Sequence, residues 1–168
     1  MHGDLKPANI LIGEGGVRTI DSLQLKPGDQ STAMTPSWAA PEQLLGACVL
    51  SATDQYALGS LICVLVGPVA QRVFLRRFGS GPVLTEFDDT RIAAELDSAG
   101  LKAWCRFLDR CLQFDPASRF PTMADLAGEL RATLNRHPVP GDLALFPNFG
   151  RVQLSDLGEP FWVAETYW

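Results

Sequence analysis

His2-Gly3-Asp4-Leu5-Lys6-Pro7-Ala8-Asn9 stands at the start of the chain, and its reading decides the rest. Asp4, Lys6 and Asn9 offer a carboxylate, a cation and a neutral amide oxygen within six residues. A carboxylate can meet a hydroxyl proton, and a cation can offset negative charge. An amide oxygen suits a hard cation that keeps most of its waters. Taken alone, the stretch also fits a loop rich in turn formers, so its neighbours must decide.

Immediately downstream, Ile10-Leu11-Ile12 and residues 17–20 are two apolar runs joined by Gly13, Gly15 and Gly16. This pattern predicts a small β-hairpin. Residues 21–41 are polar, with three prolines and no helical period, and read as a long loop of the functional kind. Residues 54–66 are apolar almost all round, which predicts a helix in the middle of a domain. Ser51 or Thr53 is its expected cap, and Gly67-Pro68 its stop. A short helix is expected near residues 90–96. Leu101, Trp104, Cys105, Leu108, Cys111 and Leu112 recur at the spacing of an amphipathic helix. Thr122 and Asp125 resemble a capping box, followed by the apolar stripe Met123, Leu126, Leu130 and Leu134. In the Pro-, Gly- and aromatic-rich tail, residues 151–154 and 161–164 are candidate strands.

Composition narrows the classes. The 168 residues suffice for one domain with a hydrophobic core. A net charge of −5 with no basic stripe argues against a nucleic-acid surface. The longest apolar stretch, residues 56–66, falls short of the ~20 residues that span a bilayer. Cys48, Cys63, Cys105 and Cys111 form no CxxC, and His2 and His137 lack finger spacing, so free thiols in a reducing compartment are expected. With no basic region and apolar run at the start, the expected location is cytoplasmic, with neither membrane nor nucleic acid as partner.

The opening motif resembles the catalytic loop of eukaryotic-type protein kinases, H-R-D-L-x-x-x-N, and its Lys-Pro resembles the serine/threonine branch. The resemblance makes Asp4 the catalytic base, Lys6 a γ-phosphate contact and Asn9 a Mg²⁺ ligand, while His2 is structural. Asp21 stands at the D-F-G position, as a second Mg²⁺ ligand, with Ser22-Leu23 in place of Phe-Gly. Thr35-Pro36-Ser37-Trp38-Ala39-Ala40-Pro41-Glu42 is similar to G-T-P-x-Y-x-A-P-E, with Met34 for the Gly; Thr35 would position a Ser/Thr acceptor. Asp54 matches the acid whose carboxylate holds the catalytic-loop backbone, and Gly59 the small residue beyond it. Asp115-Pro116-Ala117-Ser118-Arg119 resembles the segment whose Arg pairs with the A-P-E glutamate, implying a buried Glu42–Arg119 pair.

By this resemblance residues 1–136 form a mainly α-helical, protein-kinase-like C-terminal lobe with a small β-hairpin, the N-terminal lobe being absent. Residues 137–168 are an extension of unknown role. The implied reaction is transfer of the ATP γ-phosphate to Ser or Thr of a protein substrate, with Mg²⁺, the fragment alone being inactive. Gly3 replaces the Arg that reads a loop phosphate, which argues against Ser31 and Thr32 as control sites. The Ser22-Leu23 departure leaves a pseudokinase or protein-binding module as the alternative. Third is a small-molecule phosphotransferase of the aminoglycoside or choline type, whose loops read H-G-D; residues 40–42 and 115–119 have no counterpart there.

Overall fold

Pro7 begins the first element, a 3-10 turn over Pro7–Asn9, where its fixed φ suits the opening position and its missing N–H loses nothing. The computed structural model describes residues 1–13, 16–31, 33–66, 102–136, 149–152 and 161–164. Directly after the turn, β1 (Ile10–Gly13) and β2 (Gly16–Thr19) pair antiparallel, from Ile10 opposite Thr19 to Gly13 opposite Gly16. Leu11 points into the core while Ile12 and Val17 remain exposed, the alternation expected of a half-buried strand.

The sheet is wider than the hairpin alone. The tail contributes β3 (Phe149–Val152) and β4 (Phe161–Ala164), and β4 pairs antiparallel with the outer edge of β1. Strand order is β2-β1-β4-β3. The second tail strand falls where the sequence puts it, and the first begins two residues earlier than residue 151.

The described residues between 21 and 40 contain no helix or regular strand. They are stitched down by an isolated bridge between Gln30 and Cys48, flanked by Gly28 N–H to Val49 O at 2.9 Å and Val49 N–H to Asp29 O at 2.8 Å. Left-handed backbone falls at Asp21 (φ 54°) and Gln24 (φ 51°), whereas Leu23 avoids it. A short helix, α1 (Pro41–Leu44), ends this segment, again with proline in its first turn.

The central helix α2 runs Ser51–Val66. It starts earlier than the apolar run suggests, and Thr53 lies inside its first turn rather than at its cap. There the Thr53 hydroxyl accepts the Leu50 N–H at 2.9 Å. Four successive residues of this turn grip three separate stretches of chain. The Ala52 carbonyl accepts from Arg119 at 2.9 Å, and the Thr53 hydroxyl donates to Glu42 at 2.9 Å. The Asp54 carboxylate accepts the His2 and Gly3 N–H groups, at 2.7 and 2.9 Å. Gln55 exchanges two bonds of 3.0 Å with the Phe120 backbone.

Helix α3 (Lys102–Cys111) crosses α2, and Trp104, Phe107, Leu108 and Cys111 join Tyr56, Leu61 and Ile62 in one core. Gly59 makes the crossing possible. A Cβ there would stand 2.5 Å from Cys111 Cβ, an atom too close to the backbone to move aside. Gly59→Ala gains helix propensity of about 1 kcal/mol but overpacks this contact by about 1–3 kcal/mol. A net loss of stability is expected in urea denaturation; a midpoint equal to or above wild type would show that the helices can part there.

After a 3-10 turn, Pro116–Ser118, Thr122 caps α4 (Met123–Arg136): its hydroxyl accepts the Asp125 N–H at 3.1 Å and donates to the Asp125 carboxylate at 2.7 Å. The buried stripe of α4 differs from the expected one. Leu126 and Thr133 are buried and Leu130 packs against the core, whereas Met123 and Leu134 are exposed. The i, i+4, i+7 row from Leu126 turns away from both ends of the apolar pattern. The expected helix near residues 90–96, the stop at Gly67-Pro68, Leu101 and Thr32 lie outside the described residues. No helix among the described residues is long and apolar enough to cross a membrane.

Candidate functional site

The 3-10 turn after Pro7 folds Asn9 back over Asp4. Asn9 Nδ2 donates to the Asp4 carbonyl at 2.8 Å and lies 3.5 Å from its carboxylate. Lys6, two residues after the acid, reaches back with Nζ 2.7 Å from Asp4 Oδ2. The same ammonium donates to Thr35 Oγ1 at 2.7 Å. Thr35 completes the ring, its N–H donating to Asp4 Oδ1 at 2.9 Å and its hydroxyl to Oδ2 at 3.3 Å. Acid, cation, amide and hydroxyl from two distant segments therefore meet around one carboxylate, whose side chain is 14% exposed.

His2 braces this loop from below. Its Nε2 contacts Ile20 O at 2.9 Å, and the Asp4 N–H points at Nδ1 at 3.4 Å, an arrangement satisfied when Nε2 carries the proton. Asp54 holds the same loop through the His2 and Gly3 N–H groups, so backbone donors satisfy both of its oxygens.

Asp21 lies at the same end of the hairpin, since the Ile20 N–H donates to Asn9 O at 3.0 Å. Its exposed carboxylate forms no hydrogen bond or ion pair with another described residue. Asn9 is buried, and with Nδ2 committed to Asp4 its Oδ1 has no partner among the described residues. One unsatisfied buried amide oxygen and one free carboxylate fit a hard divalent cation.

Beneath the site Arg119 and Glu42 form a bidentate pair, both N–O distances 2.8 Å. The remaining guanidinium donors reach Ala52 O, Gln113 O and Phe114 O, at 2.9, 2.9 and 3.3 Å. Ser31 is buried, its hydroxyl donating to Ala33 O at 2.9 Å. Gln43 and Gln55, both buried, hold the site's frame and were not singled out in the sequence. Each follows an acidic residue of a matched motif, Glu42 or Asp54, and nothing else in the sequence marks it.

Burial pushes the Asp4 carboxyl up, but the hydrogen bonds from Lys6 and Thr35 and the Lys6 charge outweigh it and hold the group below 3.8. A lowered folded-state pKa means that this stabilisation is present above pH 3.8 and is lost as pH falls through the folded value. In Lys6→Met, burial acts with less opposition, so the Asp4 pKa rises. Carboxyl-carbon NMR titration reads that shift directly, and the stability gap between the two proteins should narrow below pH ~4. An unchanged Asp4 titration would remove Lys6 as the cause.

Comparison with known proteins agrees with the geometry. A model described as "Protein kinase domain" matches residues 1–129. Serine/threonine-protein kinase PknK of Mycobacterium bovis is 34% identical over 155 residues, covering 84% of this chain and 13% of that protein. PknK of Mycobacterium tuberculosis matches with the same figures. Serine/threonine-protein kinase AfsK of Streptomyces coelicolor is 31% identical over 140 residues, covering 77% of this chain and 16% of that protein. The chain thus spans only 13 to 16% of the length of these curated relatives. With the family model spanning most of its length and a ring of Asp4, Lys6, Asn9 and Thr35 in place, the chain belongs to the protein kinase family.

Proposed function

We propose that residues 1–136 are the C-terminal lobe of a serine/threonine protein kinase that transfers the ATP γ-phosphate to Ser or Thr of a protein substrate. The observation that carries this reading is the Asp4 carboxylate gripped by Lys6 and Thr35. In the transfer, the acceptor hydroxyl oxygen bonds to the γ-phosphorus as the bond from that phosphorus to the β–γ bridging oxygen breaks. The hydroxyl proton passes to Asp4, and ADP leaves. Lys6 offsets charge on the moving group, and the Thr35 hydroxyl beside Asp4 favours an aliphatic hydroxyl acceptor. Asn9 and Asp21 are the residues that would hold Mg²⁺, which neutralises phosphate charge when bound.

The Gly-rich loop and strand lysine that clamp ATP phosphates in the family are not among these 168 residues. The small lobe is therefore the partner this surface needs, and the isolated chain is expected to be inactive. The Glu42–Arg119 pair and the family match favour this reading over a small-molecule phosphotransferase. Ser22-Leu23 supports a second reading, a pseudokinase that keeps the lobe as a docking surface.

The test compares two polypeptides. The chain joined to a small lobe should transfer label from γ-labelled ATP to a Ser/Thr peptide, whereas the 168 residues alone should gain no melting temperature from Mg²⁺-ATP. Absence of transfer from the joined polypeptide, with ATP bound, would favour the pseudokinase.

A further inference from the structure

A buried carboxamide in α1 reaches both stretches of chain that meet at Asp4. Gln43 lies in α1, next to Glu42, and is 2% exposed. Its Oε1 accepts the Ala40 N–H at 3.0 Å, and its Nε2 donates to the Gly3 carbonyl at 2.8 Å. Nε2 also lies 3.5 Å from the Ser31 hydroxyl, the long edge of a hydrogen bond. The Gly3 carbonyl belongs to the peptide unit that carries the Asp4 N–H, so a bond to it orients the base of the acid's side chain. Ser31 lies four residues before Thr35 in the segment that delivers the Thr35 contacts.

A side chain at position 3 would be strained and crowded. Gly3 has φ +85°, and a Cβ built there would stand 2.7 Å from Leu25 Cδ1 and 3.4 Å from Leu23 Cβ. Two leucines from the segment, with the Leu23 N–H bonded to His2 O at 2.9 Å, occupy the space beside it. The junction is made by neutral groups, with no cation placed at position 3 to receive a phosphate.

We propose that Gln43 is a positioning residue for phosphoryl transfer, a neutral buried clamp that holds residues 28–35 against the catalytic loop so that Thr35 stays engaged with Asp4 in the unphosphorylated chain. Its role in turnover rests on the kinase reading above; the clamp itself does not. A carboxamide suits the task because it donates and accepts at once and carries no charge that burial would penalise. Removing the donor strands the buried Gly3 carbonyl next to the acid.

Gln43→Met and Gln43→Glu test the clamp in the polypeptide that includes the small lobe. Once its carboxyl carbon is shown by NMR to be ionised, the introduced glutamate keeps an oxygen for the Ala40 N–H but has no donor for Gly3, so a helix-capping role survives in Gln43→Glu and a clamping role does not. Amide hydrogen exchange of residues 28–35 should quicken by about tenfold in both variants while α2 and α4 keep their protection. Turnover should fall by about tenfold with KM for ATP within about twofold. Wild-type exchange in residues 28–35 of either variant would overturn the clamp. So would an equal loss of protection throughout the lobe, which would make Gln43 a residue of general stability. Local loosening in a polypeptide that never transfers phosphate would keep the clamp and remove the kinase reading instead.

Discussion

Arg119→Met is expected to lower folding stability by about 3–5 kcal/mol, the range for removing one partner of a buried ion pair. The Arg119 side chain is 0% exposed, and each of its five N–H donors has an acceptor, in Glu42, Ala52, Gln113 or Phe114. The guanidinium also lies 5.1 Å from the centre of the Tyr56 ring. Methionine fills the volume and makes none of these bonds, leaving the Glu42 carboxylate buried with only the Thr53 hydroxyl beside it. At roughly 2–4 °C per kcal/mol for a chain of this size, melting should fall by about 6–20 °C. Arg119→Lys should fare little better, because a point charge cannot reproduce the planar fork. The double variant Glu42→Met/Arg119→Met should recover much of the loss, since the stranded charge is gone. A melting temperature for Arg119→Met within a degree of wild type would show that the pair does not secure the lobe.

Asp4→Asn should have the largest effect on turnover and little on the fold. Asparagine keeps an oxygen for the Thr35 N–H at the position now 2.9 Å away, so residues 33–35 stay docked. It cannot accept the acceptor hydroxyl's proton, and it no longer offers Lys6 a charge. General-base loss typically costs about 10²–10⁴-fold, so kcat should fall by at least about 100-fold with KM for ATP little changed. Circular dichroism and melting temperature close to wild type would assign that loss to chemistry. Undiminished turnover would remove Asp4 from the mechanism.

Much of this architecture is local and therefore legible. The hairpin follows from two apolar runs around glycines, and α2 from a segment apolar on every face. The Thr122 cap follows from spacing alone. The acid, cation and amide sit within one short loop, so their proximity needs little from the rest of the chain. What escapes sequence reading depends on distant partners. Gln43 bonds across 40 residues and Gln55 across 65, and nothing beside either residue advertises the carbonyl it meets. The pairing of β4 with β1 joins opposite ends of the chain, which strand propensity cannot specify. The exposure of Met123 and Leu134 reflects the turn of the buried face of α4 toward Leu126 and Thr133, which packing partners set, with Leu126 and Leu130 common to the expected and observed stripes.

The opening turn of α2, where residues 52–55 between them hold the catalytic loop, Glu42 and the Arg119-Phe120 stretch, ties the chemistry to the bulk of the lobe. Unwinding that turn alone would free the loop bearing Asp4, take a hydrogen bond each from Glu42 and Arg119, and detach Phe120 together. Melting should therefore be all-or-none, with calorimetric and van't Hoff enthalpies in agreement and no early transition belonging to the catalytic residues.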